Sequence, residues 1–514
     1  MAFSLATIQL VAAIAAAVFS VLHVRRRRCV LNGLAGPGSS HPILGFLPTL
    51  LRGSQAGEVD FDLQDNYGGA GNSTMKQLWI CDPKAVQYVA QTAGYKFIRA
   101  SDRKEDSRLT VGNSVLTVEG DDHRRHRRIM LPGFGSNEST TYVPSFSRKA
   151  TRMADKWVQM IQGEDHAIVD VPFWTARATL DALGEAALDY QFNALDDMSN
   201  ELAKAFSGLF SKTRLNPSNW SIFEEHVVSL LPQTLVRTWN AHVPARSAPP
   251  NVIVDRLPRA SRDMKANKSA GARSGLSEDE MLAQLSVIII AGHETTATSV
   301  GWTLLELCMN PAIQTRLRDE IRAVRRERDE PQLTAATYDA MPYLSAVIKE
   351  SLRYHPVVYH ISKEAAQDEV IPLLKSVIGT DGRTIYEVPV QKGQNVILSI
   401  AAYNRDKDVF GQDAHTFDPE RWLKDGYVTK QASVGVYANL FTFGGGHRAC
   451  LGWRFAILEL STFIVELVDK FEFSIDPKVK IQRGAAVVMS PIIEGEEDKG
   501  SQLPLRVRLA PTTD

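Results

Sequence analysis

The segment FTFGGGHRACLG, Phe441 to Gly452, decides how this chain is read. One cysteine, Cys450, stands among four glycines, and the run WRFAILELSTFIVELV that follows has the apolar spacing of a helix. Glycine permits tight backbone geometry, so other groups can approach the sulfur closely. A thiolate just before a helix is stabilised by the helix dipole and by unpaired backbone N–H groups, which suits it to holding a metal. Zinc needs several protein ligands, and only His447 lies nearby. A purely structural cysteine leaves the glycines, Phe443 and Arg448 unexplained. Heme iron fits, because one protein ligand suffices opposite an open position.

Working outward, residues 277–311 (SEDEMLAQLSVIIIAGHETTATSVGWTLLELCMNP) read as one long helix. Ser277 is its N-cap, Glu278, Asp279 and Glu280 suit the dipole, and Pro311 marks the end. Its interior is apolar on nearly all sides, which predicts a helix buried through the protein centre. Glu294 and Glu306 interrupt the apolar run and argue against a second membrane span. Residues 148–240 read mainly as amphipathic helices, such as ARATLDALGEAALDY and ELAKAFSGLF. Residues 244–277, polar, basic and broken by Pro and Gly, read as a long surface connection. Residues 375–403 alternate short β-like runs with Gly turns, which predicts a small sheet. There is no βαβ alternation and no internal repeat, so the expected class is mainly α with a small β region.

Lys+Arg 58 against Asp+Glu 59 leaves a net charge of -1, so no electrostatic footprint for nucleic acid exists. Cys29, Cys81, Cys308 and Cys450 are too few and too scattered for a disulfide framework, which fits a reducing compartment. From Ala2 to Val24 no residue is charged. As a helix that stretch would run about 35 Å against a bilayer core of about 30 Å. Arg25, Arg26, Arg27 and Arg28 follow it, whereas a secretory signal carries its charge in front. Arginines on this flank keep the rest of the chain on the cytosolic side, where sequons such as Asn137-Glu-Ser139 go unused. The expected organisation is a transmembrane anchor over 1–24, a basic and Pro/Gly-rich hinge over 25–42, and a catalytic body over 43–514.

The loop resembles the heme-binding signature of the cytochrome P-450 superfamily, F-x-x-G-x-R-x-C-x-G, on Phe443, Gly446, Arg448, Cys450 and Gly452. Other motifs accompany it in the family's order. Glu350 and Arg353 resemble the K-helix E-x-x-R. Phe417-Asp-Pro-Glu-Arg421-Trp422 is similar to the P-E-R-F segment, with Trp422 in the aromatic place. Ala291-Gly-His-Glu294-Thr295-Thr296 resembles the oxygen-activation motif A-G-x-[DE]-T-[TS]. The anchor and hinge resemble those of microsomal members, and the K-helix-to-heme region looks like fungal ones.

The resemblance implies a cytochrome P-450 fold behind one membrane helix, with heme b bound through the Cys450 thiolate as axial ligand. It implies that Thr295 steadies iron-bound dioxygen and that Glu294 joins the proton relay. Glu350, Arg353 and Arg421 become a buried triad that holds the fold around the heme loop. Gly292 and Thr295 together bend the central helix and admit water. Arg448 and Arg127 become propionate ligands; His123, standing where the family carries Trp, and His360, after the K-helix, are further candidates. Arg124, Arg125 and Arg128 form either a solvated basic face or part of a docking site for an acidic redox partner.

The implied reaction inserts one oxygen atom from O2 into a lipophilic small molecule, such as a terpenoid or other secondary metabolite. Electrons come from an NADPH-cytochrome reductase, since the chain has no G-x-G-x-x-G fingerprint of its own. The implied location is the endoplasmic reticulum membrane, single-pass, facing the cytosol. A reductase-independent isomerase or dehydratase and a non-enzymatic heme protein are the rivals. The substrate pocket is expected within 100–120, 200–240 and 355–362, with Phe206, Phe210, Val357, Val358 and Tyr359 as apolar lining.

Overall fold

A computed structural model describes residues 30–38, 41, 46–51, 55–72, 77–197, 219, 222, 275–328, 332–429, 432–485 and 487–511. The anchor expected over 1–24, the helix expected at 201–210 and nearly all of the 244–277 connection lie outside them. Among the described residues no helix is long and apolar enough to cross a membrane.

The body is mainly helical, with its strands in small separate sheets, as the sequence pattern predicts. The helices that position the site are α1 (Glu58–Tyr67), α2 (Gly120–Met130), α3 (Val143–Ile161), α4 (Val171–Leu183), α5 (Glu278–Met309), α6 (Pro311–Arg328), α7 (Pro342–Tyr354) and α8 (Trp453–Lys470). Strands β1 (Ala70–Asn72), β2 (Gln77–Ile80), β3 (Phe97–Arg99), β5 (His360–Ala365) and β8 (Asn395–Ser399) form one sheet in the order β1-β2-β8-β5-β3. Strand β4 (Ala167–Asp170) joins β12 (Pro504–Leu509) and β9 (Phe471–Ser474), while β6 (Glu369–Ile378) pairs with β7 (Thr384–Val390) and β10 (Ile481–Ala485) with β11 (Met489–Ile493).

Helix α5 starts where its residues dictate. Ser277 Oγ accepts from Glu280 N–H at 3.2 Å, and the Glu280 carboxylate accepts from Ser277 N–H at 2.9 Å. This reciprocal cap is worth about 1 kcal/mol. The same carboxylate takes Arg125 at 3.1 Å and His126 at 3.0 Å, which ties α2 to the start of α5. From Val300 to Cys308 every residue is buried, so this half of α5 runs through the core as its all-round apolar pattern requires. Trp302 donates to Met489 O at 2.9 Å, anchoring the β10–β11 hairpin to the helix. Helix α8 packs on α3 through edge-on Phe146 and Phe455, whose rings are 4.7 Å apart.

The predicted small sheet at 375–403 divides between two sheets. Residues around Gly379 and Gly382 turn β6 into β7, but β8 leaves that hairpin and pairs in parallel with β2, far upstream. A parallel partner so distant in the chain leaves no local signal.

Candidate active site

The Cys450 loop is shaped by its glycines. Gly444 and Gly446 hold φ of +66° and +65°, which L side chains rarely adopt, and a Cβ on Gly446 would sit 2.3 Å from Ala90 O. The turn closes with Cys450 N–H donating to Phe443 O at 2.8 Å. Gly452 then caps α8 and rests on Phe134. Of the described cysteines, Cys81 and Cys308 are buried and Cys450 is accessible. Yet burial is the largest influence on the Cys450 thiol, pushing it up, with the Gly452 N–H and Arg127 pulling it down. The sulfur is thus accessible while protein crowds round it.

Helix α5 also presents an accessible face. Along α5, Leu285, Ile288, Ala291, Thr295 and Thr298 are at least partly accessible, while the residues on the opposite face are buried. Their spacing of three and four places them on one face of the helix. Leu116 at 37%, Val358 at 36% and Val487 at 51% exposure are large apolar side chains left accessible on three other segments. Met489 N–H donates to Val357 O at 2.7 Å, which brings the hairpin carrying Val487 against the loop carrying Val358.

Beside the Cys450 loop lies a cluster of cations. Arg127 donates to Ala449 O at 2.7 Å. Arg448 donates to Val118 O at 2.8 Å and pairs with Glu119. Lys363 is buried, and burial together with Arg448 lowers its pKa to about 8. His123 is held down to about 3 and His447 to about 4, in each case by burial first and then by neighbouring cations. Arg448 Nε and His447 Nε2 are buried without hydrogen-bond partners.

A family model described as "Cytochrome P450" matches residues 35–491. "Cytochrome P450 monooxygenase 128" of Postia placenta (strain ATCC 44394 / Madison 698-R) is 32% identical over 93% of this chain and 92% of its own. "Cytochrome P450 monooxygenase 205" of the same fungus is 30% identical over 97% of each chain. "Cytochrome P450 monooxygenase claQ" of Ampulloclitocybe clavipes is 28% identical over 94% of each.

The chain belongs to the cytochrome P450 family.

It is accordingly an oxygenase enzyme, and the family's heme with a cysteine thiolate ligand, its O2, its small-molecule substrate and its redox partner belong to its chemistry. The residues present fit a heme. The accessible sulfur is placed to meet iron, and the crowded cations with their unpartnered buried donors are what two propionates would neutralise.

The expected site residues fall into three groups. Phe443, Gly446, Arg448, Cys450 and Gly452 share the loop, and Arg127 and His123 join it from α2. His360 does not: its Nε2 meets Asp60 at 2.6 Å, and the same Asp60 takes the Trp79 indole N–H at 2.7 Å. Lys363, three residues further along β5, stands in the cluster instead. Side chains alternate along a strand, so an odd offset reverses the face.

At the middle of α5, Thr295 Oγ1 donates to Ala291 O at 2.6 Å and Glu294 is buried. The expected bend is absent from the hydrogen-bond pattern, which is α-helical from 278 to 309. Gly292 serves close packing, since a Cβ there would lie 2.9 Å from Leu183 on α4.

Glu350, Arg353 and Arg421 form the expected triad, each fully buried. Arg353 reaches Glu350 at 2.9 and 2.7 Å and Arg421 reaches it at 2.9 and 3.1 Å. Two further donors serve the same carboxylate: Trp422 Nε1 at 2.9 Å and Asp418 N–H at 2.8 Å. Burial pushes the Glu350 acid up, but the two guanidinium groups outweigh it and the net direction is down. The arginines also hold the carbonyls of Asn404, Phe410, Ala414 and Thr416, fixing the meander between β8 and the heme loop.

Sequence reasoning passed over three residues here: Lys363, Tyr95, whose hydroxyl meets His123, and Glu459 on α8. Glu459 is fully buried, neither oxygen has a hydrogen bond of ordinary geometry, and burial drives its acid far above the carboxylate range, with Thr296 opposing. A glutamate in the unfolded chain ionises near pH ~4.3, so the folded state alone keeps the proton as pH rises. Stability therefore falls above that pH by up to about 1.4 kcal/mol per unit until the folded group ionises too. Glu459→Gln removes this term. Melting curves of the two proteins are expected to diverge between pH 5 and pH 8, the variant becoming the more stable; parallel pH profiles would show an ionised Glu459.

Proposed function

We propose that this protein is a membrane-anchored heme-thiolate monooxygenase that inserts one oxygen atom from O2 into a lipophilic small molecule. The observation that carries this reading is the accessible Cys450 sulfur in its glycine-shaped loop, flanked by Arg127, Arg448 and Lys363. Bound through Cys450, heme supplies dioxygen binding and its reductive cleavage, favoured by electron density from the thiolate. Arg127, Arg448 and Lys363 neutralise its carboxylates. Leu116, Val358 and Val487 hold an apolar substrate and exclude water, which favours a terpenoid or other secondary metabolite over a charged metabolite.

Thr295 is the proposed catalytic hydroxyl. Its O–H is committed to Ala291 O, so the oxygen lone pairs can receive a hydrogen bond from a bound group and steady a proton there. Glu294, one residue away, is the proposed source that replaces that proton. An acid–threonine pair is dispensable to an isomerase or dehydratase and to a passive heme carrier. Electrons are proposed to come from an NADPH-cytochrome reductase at the endoplasmic reticulum membrane, with the body facing the cytosol. Support for that location is the uncharged Ala2–Val24 stretch with Arg25–Arg28 behind it.

The test is NADPH consumption and product formation by the full chain in vesicles with reductase, across a panel of terpenoids. Both are expected to require reductase and substrate together. Thr295→Ala is expected to lose roughly a hundredfold in product rate, the scale of one positioned proton donor, while NADPH continues to be oxidised. An unchanged product yield per NADPH would remove Thr295 from the mechanism, and turnover of a hydroperoxide without reductase would replace the monooxygenase reading altogether.

A further inference from the structure

The residue that faces His123 is Tyr95, whose hydroxyl lies 2.7 Å from His123 Nδ1. Its ring is held on two sides, by the Arg124 guanidinium 4.6 Å above its centroid and by the His447 ring at 4.2 Å. The backbone just before it abuts the heme loop so closely that Gly446 has no room for a Cβ. Gln91 in that same segment donates to Ser433 O at 2.9 Å, pinning it further. The phenol is therefore a fixed group, tied to the cradle at both ends.

A neutral imidazole carries one N–H, on either ring nitrogen, and the partner of one nitrogen decides the state of the other. Burial first, then the charges of Arg448 and Arg127, hold His123 toward the neutral form, in which it donates from one nitrogen only. If Nδ1 carries the proton, Nε2 presents a lone pair, and a lone pair repels a carboxylate. If Nδ1 accepts, Nε2–H is available as a donor.

We propose that Tyr95 is a positioning residue that donates its O–H to His123 Nδ1 and so fixes the imidazole in the Nε2–H tautomer, turning His123 into a hydrogen-bond donor to a heme propionate. A tryptophan at this position brings an obligatory N–H donor; a histidine needs an outer partner to become one, and Tyr95 is that partner. Arg448, Arg127 and Lys363 supply charge to the same carboxylates, and His123 supplies direction. The inference rests on heme lying over Cys450.

The decisive variant is Tyr95→Phe in the full-length holoprotein, which keeps the ring against Arg124 and His447 and removes only the hydroxyl. Heme transfer to excess apomyoglobin is expected to quicken about tenfold, the worth of one hydrogen bond to a charged group. His123→Ala is expected to do the same, and the double variant to be no faster than His123→Ala alone. The resonance Raman band of propionate bending should shift in Tyr95→Phe, which a merely structural role for the phenol would not cause. In a His123→Gln background, whose amide donates in any state, adding Tyr95→Phe should leave the release rate unchanged. Wild-type release from Tyr95→Phe or from His123→Ala, or fully additive effects in the double variant, would overturn the proposal. A wild-type protein without a thiolate heme spectrum would overturn it too, but through the failure of the Cys450 site.

Discussion

Cys450→His is expected to abolish the red-shifted carbon-monoxide band that the reduced wild-type protein shows. A sulfur pushed toward the neutral thiol by burial is held as thiolate only when a strong positive centre lies against it, and bound iron is such a centre. The Gly452 N–H and Arg127 assist from the other side. Imidazole in place of the thiolate retains a heme band but not the shifted one, because only the anionic sulfur donates enough electron density. The wild type and the variant are compared as full-length membrane preparations. A folded wild type with no heme band, or a variant with the shifted band intact, would show that another group holds the iron. Cys81 and Cys308 offer no replacement, since both are buried.

Glu350→Ala is expected to yield protein that cannot retain heme. The substitution strands Arg353 and Arg421 as buried charges, a loss of about 3–5 kcal/mol where one partner of a buried pair is removed. It also releases the Trp422 indole and the Asp418 N–H. The damage reaches the heme loop by a traceable route. Arg353 holds Asn404 O at 3.0 Å, and Asn404 in turn accepts from Phe441 N–H at 3.0 Å and donates to Thr442 at 2.8 Å. Thr442 donates to Leu352 O at 2.9 Å, closing the circuit back onto α7. Heme per protein and the melting temperature measure the effect, and a normal heme content in the alanine variant would separate the triad from the loop.

Much of this site was legible because its signals are local. The Cys450 loop is a contiguous string whose glycines are required by positive φ and by close approach. The bounds of α5 follow from Ser277, Glu280 and Pro311, all within one turn of the ends they set. Glu350 and Arg353 are one turn apart, so a shared face is guaranteed once a helix forms. Even Arg421 was found by its motif, although the roles of Trp422 and Asp418 on the same carboxylate were not.

What tertiary structure decided is whatever depends on strand parity or on distant neighbours. His360 and Lys363 are both basic and both follow α7; only the alternation along β5, with its register fixed by β8 and β3, turns Lys363 toward Arg448 and His360 toward Asp60. Gly292, read as a point of bending, is filled from α4 by Leu183. Tyr95 carries no motif and gains meaning only because the fold sets it 2.7 Å from His123. Val487 is brought near Val358 only by a hairpin tied to Val357. The family, the sulfur and the central helix are each written in residues that touch along the chain. The set of groups around the heme carboxylates was decided only by folding, because side-chain direction on a strand and contact between remote loops are properties of packing.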